Sequence, residues 1–177
     1  MLYSELQCSE AIHKAVERMG FAEMTEIQEK TIPVMLAGHD VIAKAPTGTG
    51  KTCAFGIPVA EHIQPENKYP QAVIMAPTRE LAQQIAEELS NLTYFMPEVQ
   101  VACVYGGANM EKQAKRLAEG CQIVVATPGR LMDHYKHHSI DISHVTQIVL
   151  DEADEMLNMG FYKDVRHIIE MMKARKA

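Results

Sequence analysis

The chain has 177 residues, 47% of them hydrophobic and 23% charged, with a formal net charge of -6. That is enough chain for one globular domain with a real core. The acidic balance excludes a protein that coats nucleic acid by bulk positive charge, so any such contact must be local and made largely by backbone amides. No apolar run approaches membrane-spanning length and no signal-peptide pattern opens the chain, which predicts a cytoplasmic protein with no membrane partner. Cys8, Cys53, Cys103 and Cys121 show no CxxC or zinc-ligand spacing and read as reduced core thiols.

In chain order, the pattern predicts a helix over 9–20, with Ser9 as N-cap and Gly20 as stop. A second helix covers 25–36 and is disturbed by Pro33. Five short apolar runs follow, at 41–45, 72–76, 99–104, 123–126 and 148–151. Helical segments alternate with them at 50–62, 79–92, 109–119, 128–137 and 161–174. Nearly all-apolar strands separated by helices predict an α/β fold, a parallel sheet covered on both faces. In such folds ligands bind at the carboxyl ends of the strands.

The segment AKAPTGTGKT reads as a strand end, a phosphate-gripping loop and a helix start. Gly48 and Gly50 leave the backbone bare, so successive N–H groups can turn onto phosphate oxygens, and the helix beginning near Gly50 adds its positive end. Lys51 can reach the outer phosphates and the Thr52 hydroxyl can ligate Mg2+. Ala45 stands where the general loop pattern has Gly, and a plain Gly-rich strand-to-helix turn is the bland alternative. A hundred residues on, VLDEAD reads as a buried strand ending in acids. Asp151 can hold the same ion from the other side, and Glu152 is placed to orient or deprotonate a water. Three more segments fall on the same edge: PTRELA after the second strand, Gly106-Gly107 after the third, and TPGR after the fourth. Thr127 and Pro128 suit a helix cap and first turn. An open helix N-terminus also attracts anions, and Arg79 and Arg130 add charge beside two of them. One triphosphate cannot occupy all of these ends, so a second polyanion, a nucleic-acid backbone, is the economical occupant.

With these motifs in this order and spacing, the chain resembles the N-terminal RecA-like domain of a DEAD-box ATP-dependent RNA helicase along essentially its whole length. APTGTGKT is similar to motif I (Ala45, Pro46, Thr47, Gly48, Thr49, Gly50, Lys51, Thr52), PTRELA to motif Ia, Gly106-Gly107 to the GG motif, TPGR to motif Ib and DEAD to motif II. Gly20 to Gln28 resembles the family's Q motif. The resemblance implies that Gln28 reads the adenine edge, that Thr25 supports the loop and nucleotide, and that Tyr3, at the spacing of an upstream aromatic residue, stacks on the base. The family typically has Phe at the place of Tyr3 and Pro at that of Met24. By the same resemblance Lys51 and Thr52 contact phosphate and Mg2+, Asp151 coordinates the ion through water, Glu152 is the catalytic base, and Asp154 couples nucleotide state to the segment after it. Pro77, Thr78, Arg79, Gly106, Gly107, Thr127, Pro128, Gly129 and Arg130 fall on positions that hold the RNA backbone, which implies no particular RNA sequence. The implied cofactors are ATP and Mg2+; the implied activity is ATP hydrolysis coupled to RNA binding and local duplex unwinding.

The resemblance divides the chain into a Q-motif region over 1–37, packed on the core, and a RecA-like unit over 38–177 that stops before the family's Ser-Ala-Thr motif. The second RecA-like domain, with its arginine fingers, is then a required partner, and the chain alone should be nearly inactive. Two other functions compete: a DNA helicase or other P-loop ATPase, and a protein-binding module without nucleotide-dependent stabilisation. His134, His137 and His138 stand at helical spacings that a metal site could use; a solvated helix end is the simpler reading. Met156, Met159, Met171 and Met172 read as packing residues.

Overall fold

A computed structural model describes residues 1–43 and 50–172. After a 3-10 turn at Tyr3–Glu5 come helices α1 (Glu10–Arg18), α2 (Glu26–Leu36) and α3 (Lys51–Glu61). Strands and helices then alternate: β1 (Ala72–Met75), α4 (Arg79–Leu92), β2 (Val101–Val104), α5 (Met110–Ala118), β3 (Ile123–Ala126), α6 (Pro128–Lys136), β4 (Gln147–Leu150), α7 (Ala153–Asn158) and α8 (Tyr162–Met171). The strands form one parallel sheet in the order β2-β3-β1-β4.

Side chains of a strand point alternately to opposite faces, and both faces of this sheet are covered. Ala72 and Ile74 of β1, with Ile123 and Val125 of β3, join a core built with α1, α2, α3 and α4. Val73, Met75, Val124 and Ala126 join a second core with α5, α6, α7 and α8. This is why the strands read as unbroken apolar runs. Fully buried Ile57, Ile85 and Leu89 fix α3 and α4 over the first face; each such side chain contributes about 1.5–3 kcal/mol. Gly56 lets these two helices approach: a Cβ there would lie 2.8 Å from Leu92 Cδ1 and 3.1 Å from Leu89 Cδ2. Tyr3, Leu6, Ile12, Val16, Met24 and Ile32 belong to the first core, so the N-terminal segment packs on it.

Several expectations need correction. The strand expected over 41–45 is not formed at Val41, Ile42 or Ala43, and Ile42 is fully exposed; Lys44 and Ala45 lie outside the described residues. A strand exists only as one side of a ladder, and no described residue pairs with the outer edge of β4 to connect it to this segment. Ser9 stands at the N-cap of α1, but its hydroxyl makes no cap bond; its N–H donates to Glu61 Oε2 at 2.9 Å instead. Helix α2 runs through Pro33 to Leu36. Met156, Met171 and Met172 pack as expected, whereas Met159, at the C-cap of α7, is exposed. His134 is not solvated: it is fully buried, and its Nε2 faces Gln113 Oε1 at 3.0 Å. The last helix ends at Met171, and residues 173–177 lie outside the described residues.

Candidate functional site

The ladder register aligns the strand ends. Met75 pairs with both Ala126 and Leu150, and Val104 pairs with Ala126. The residues that follow, Pro77-Thr78, Tyr105 to Ala108, Thr127 and Asp151-Glu152, therefore share one edge of the sheet. All the motif residues from Pro77 onward fall there.

Gly50 is the N-cap of α3 in the left-handed region (φ 80°, ψ 24°), and a Cβ there would lie 2.4 Å from Gln28 Nε2. Glycine is required twice at this position, by dihedral and by space. The next residue, Lys51, reaches across to the end of β4. Its Nζ lies 2.6 Å from Glu152 Oε1 and 3.7 Å from Asp151 Oδ1. Partial burial opposes its charge, but pairing with Glu152 and Asp151 prevails and holds its pKa above the usual lysine value. Burial raises the Asp151 carboxyl, against the pull of Lys51. Glu152 is also left-handed (φ 54°, ψ 50°), an uncommon conformation for a non-glycine residue. It lets the chain turn at once from β4 into α7, which turns Asp151 and Glu152 toward Lys51.

Thr52 carries a partner that the motif does not reveal. It is Glu88 of α4, a half-buried carboxyl raised by burial, drawn down by the nearby Thr52 side chain and raised further by the Asp151 charge. The donor set is hydroxyl and carboxylate oxygen, which fits a hard divalent cation such as Mg2+. Ala45, Pro46, Thr47, Gly48 and Thr49 lie outside the described residues.

Near the N-terminus, Thr25 and Gln28 form a reciprocal capping box at the start of α2. Gln28 is buried, donates from Nε2 to the Gly50 carbonyl at 3.1 Å, and accepts at Oε1 from the Tyr3 hydroxyl. Tyr3 is itself buried and stacks on Phe21, whose ring is exposed.

The other motif residues meet around the loop after β2. The Arg79 guanidinium lies 4.8 Å from the Tyr105 ring centre, and its Nη1 is the nearest atom to a Cβ placed on Gly107, at 4.0 Å. Thr78 accepts the Leu81 N–H and caps α4. On the other side, Arg130 Nη1 donates to the Ala108 carbonyl (2.9 Å) and to Gln113 Oε1 (3.1 Å). Thr127 precedes α6 in extended conformation, with Pro128 in the first turn and no cap bond from its side chain. A cavity of about 450 Å³ opens here, lined by Gly106, Thr127, Gly129, Arg130, Lys136 and Phe161 among others. The sequence offered no sign of Gln113, which braces Arg130, nor of Glu88, and it read His134 only as a metal-ligand candidate or part of a solvated helix end. All three lie at helical positions beyond the motifs, and a motif does not record what packs behind it.

A parallel sheet covered by helices on both faces, with Lys51 at a helix N-terminus facing an acidic strand end, is consistent with a RecA-like domain, the fold of the solved structures it matches. The DEAD/DEAH box helicase family model matches residues 25–177. The chain belongs to that family. It is 52% identical over 170 residues to the ATP-dependent RNA helicase CshA of Limosilactobacillus reuteri, covering 96% of this chain and 34% of that protein. It is 44% identical to the ATP-dependent RNA helicase DeaD of Escherichia coli, covering 94% of this chain and 27% of the relative. The crystal structure of a DEAD box protein from Methanococcus jannaschii superposes with a TM-score of 0.91 at 40% identity, over 99% of this chain and 48% of that one. The chain thus spans about a third of the length of the curated relatives it matches.

Proposed function

We propose that this chain is the ATP-binding, RNA-contacting unit of a DEAD-box RNA helicase, which hydrolyses ATP and couples that to RNA binding and local unwinding. The observation that carries the reading is the convergence of Lys51 on Asp151 and Glu152 at the carboxyl edge of the sheet. With a nucleotide bound, Lys51 exchanges its acidic partners for the outer phosphates. That exchange frees Glu152 to accept a proton from the attacking water. Thr52, beside Glu88, and Asp151 would hold Mg2+, which would neutralise triphosphate charge. Gln28, Thr25 and Tyr3 form the base end, with Gly50 linking it to the phosphate end.

Pro77, Thr78, Arg79, Gly106, Gly107, Thr127, Pro128, Gly129 and Arg130 form the RNA face; contacts of this kind go to phosphate and sugar and carry no sequence information. The reading keeps residues 1–37 as the Q-motif region and 38–177 as the RecA-like unit, which works against a second RecA-like domain; the greater length of the relatives supports that partner. Four free cysteines fit a reducing cytoplasm, and no described helix is long and apolar enough to cross a membrane.

ADP with Mg2+ should raise the melting temperature, since a ligand of the native state stabilises it by about 2.7 kcal/mol at a hundredfold excess over Kd. Lys51→Ala should abolish that shift. An equal shift in both proteins would sink the assignment.

A further inference from the structure

The oxygen of the Gln28 amide is fully engaged, while its nitrogen keeps one hydrogen free. Its Oε1 accepts from the Tyr3 hydroxyl and from the Thr25 N–H (2.9 Å), while its Nε2 donates to the Gly50 carbonyl (3.1 Å). The orientation of the amide follows from its partners: two donors face one atom and a carbonyl faces the other, so the oxygen is the atom turned to Tyr3. An amide oxygen has two lone pairs, and both are used.

This matters because, along the edge that carries N7, the two purines differ at one point. Adenine offers a 6-amino donor beside the N7 acceptor, whereas guanine offers two acceptors, O6 and N7. A hydrogen from Nε2 suits N7 of either base. Discrimination therefore falls to Oε1, which can accept from the adenine 6-amino group and opposes the guanine O6. Of the two donors on Oε1, the Thr25 N–H is fixed by the capping box. The Tyr3 hydroxyl is the one that can turn away. The rest of Tyr3 stays in place: it is 4% exposed, its ring lies 6.2 Å from that of Phe21, and its N–H donates to the Ala22 carbonyl at 3.0 Å.

We infer that the Tyr3 hydroxyl competes with the adenine 6-amino group for Gln28 Oε1, making Tyr3 a specificity-determining residue that weakens the preference for adenine over guanine nucleotides. The inference rests on the reading of Gln28 as the base-contacting residue. Phenylalanine at position 3 would keep the ring and leave one lone pair of Oε1 open.

The test is competition of ADP, GDP and purine riboside 5′-diphosphate, which lacks the 6-amino group, against a fluorescent ADP analogue. Tyr3→Phe should tighten ADP about threefold to tenfold, the worth of one hydrogen bond, and leave GDP unchanged or weaker. In the wild-type chain, loss of the 6-amino group should change affinity by less than about twofold; in Tyr3→Phe it should cost the full factor. The wild-type arm needs no variant and so stands apart from any effect on folding. An unchanged ADP:GDP ratio in Tyr3→Phe, or a wild-type chain that loses as much as the variant when the 6-amino group is removed, overturns the competition. Gln28→Ala in both backgrounds separates the two claims. If it collapses the ADP:GDP ratio in both while Tyr3→Phe is inert, the competition alone fails. If it leaves the ratio unchanged in both, the adenine-reading role of Gln28 fails with it.

Discussion

Lys51, Arg130 and Gln28 each hold an internal partner, so on the proposed reading a ligand would bind by exchange of partners. The partner of Arg130, Gln113, is itself bonded to a buried histidine. His134 Nε2 must donate to Gln113 Oε1, an atom that only accepts, and this leaves His134 Nδ1 buried without a hydrogen-bond partner. Burial first, and the Arg130 charge second, lower its pKa below the usual 6.5; Asp133 opposes them and His137 adds a smaller lowering. The folded chain therefore binds fewer protons here than the unfolded chain. This contribution to stability is complete above about pH 6.5 and is lost as pH falls through the depressed folded value. Urea midpoints should drop between pH 7.5 and 5.5, and His134→Gln, though less stable at pH 7.5, should show a flatter profile. Identical profiles would remove His134 from this role. The cysteines offer no comparable chemistry at neutral pH: burial pushes Cys8, Cys103 and Cys121 up to about 11 and Cys53 up to about 12.

Helices α4 and α6 present their N-terminal turns beside Arg79 and Arg130, on either side of the loop after β2. Arg79→Ala with Arg130→Ala should weaken binding of two unrelated single-stranded RNAs alike. The slope of log K against log salt should become shallower by roughly 0.7 for each phosphate that is no longer neutralised. A loss confined to one RNA, or an unchanged slope, argues against binding through the backbone. The packing of α3 on α4 gives a second expectation. Gly56→Ala drives a methyl into Leu92 and Leu89 of a filled core, and overpacking of this kind costs about 1–3 kcal/mol. A urea midpoint equal to wild type would show that the two helices can move apart freely.

Across the whole molecule, the sheet is asymmetric. β1 and β3 are fully buried, whereas β4 is only partly so and Leu150 is exposed. Among the described residues no strand pairs with the outer edge of β4. An open edge of this kind pairs readily with another chain. Sedimentation velocity should show concentration-dependent association, reduced by Leu150→Lys, since an edge lysine opposes such pairing. A monomer at every concentration would show that the edge is covered.

Most of the helices and four of the strands were legible in the sequence, because both sheet faces are covered and the strands read as apolar runs. The positions of Lys51, Asp151, Glu152, Arg79 and Arg130 at strand and helix ends were legible in the sequence, and the structure places them there. Tertiary structure decided the rest. Residues 41–43 have an apolar strand pattern but no ladder, and hydrogen-bond partners are not written in a segment's own sequence. Met159 and His134 exchanged their expected places because burial depends on which face of a helix meets another. The hydroxyl of Tyr3 on Gln28, Glu88 on Thr52, and Gln113 with His134 beside Arg130 all join residues at least 17 positions apart. Such pairs meet only when the chain folds, because spacing along a chain fixes neighbours within an element and leaves neighbours between elements to packing.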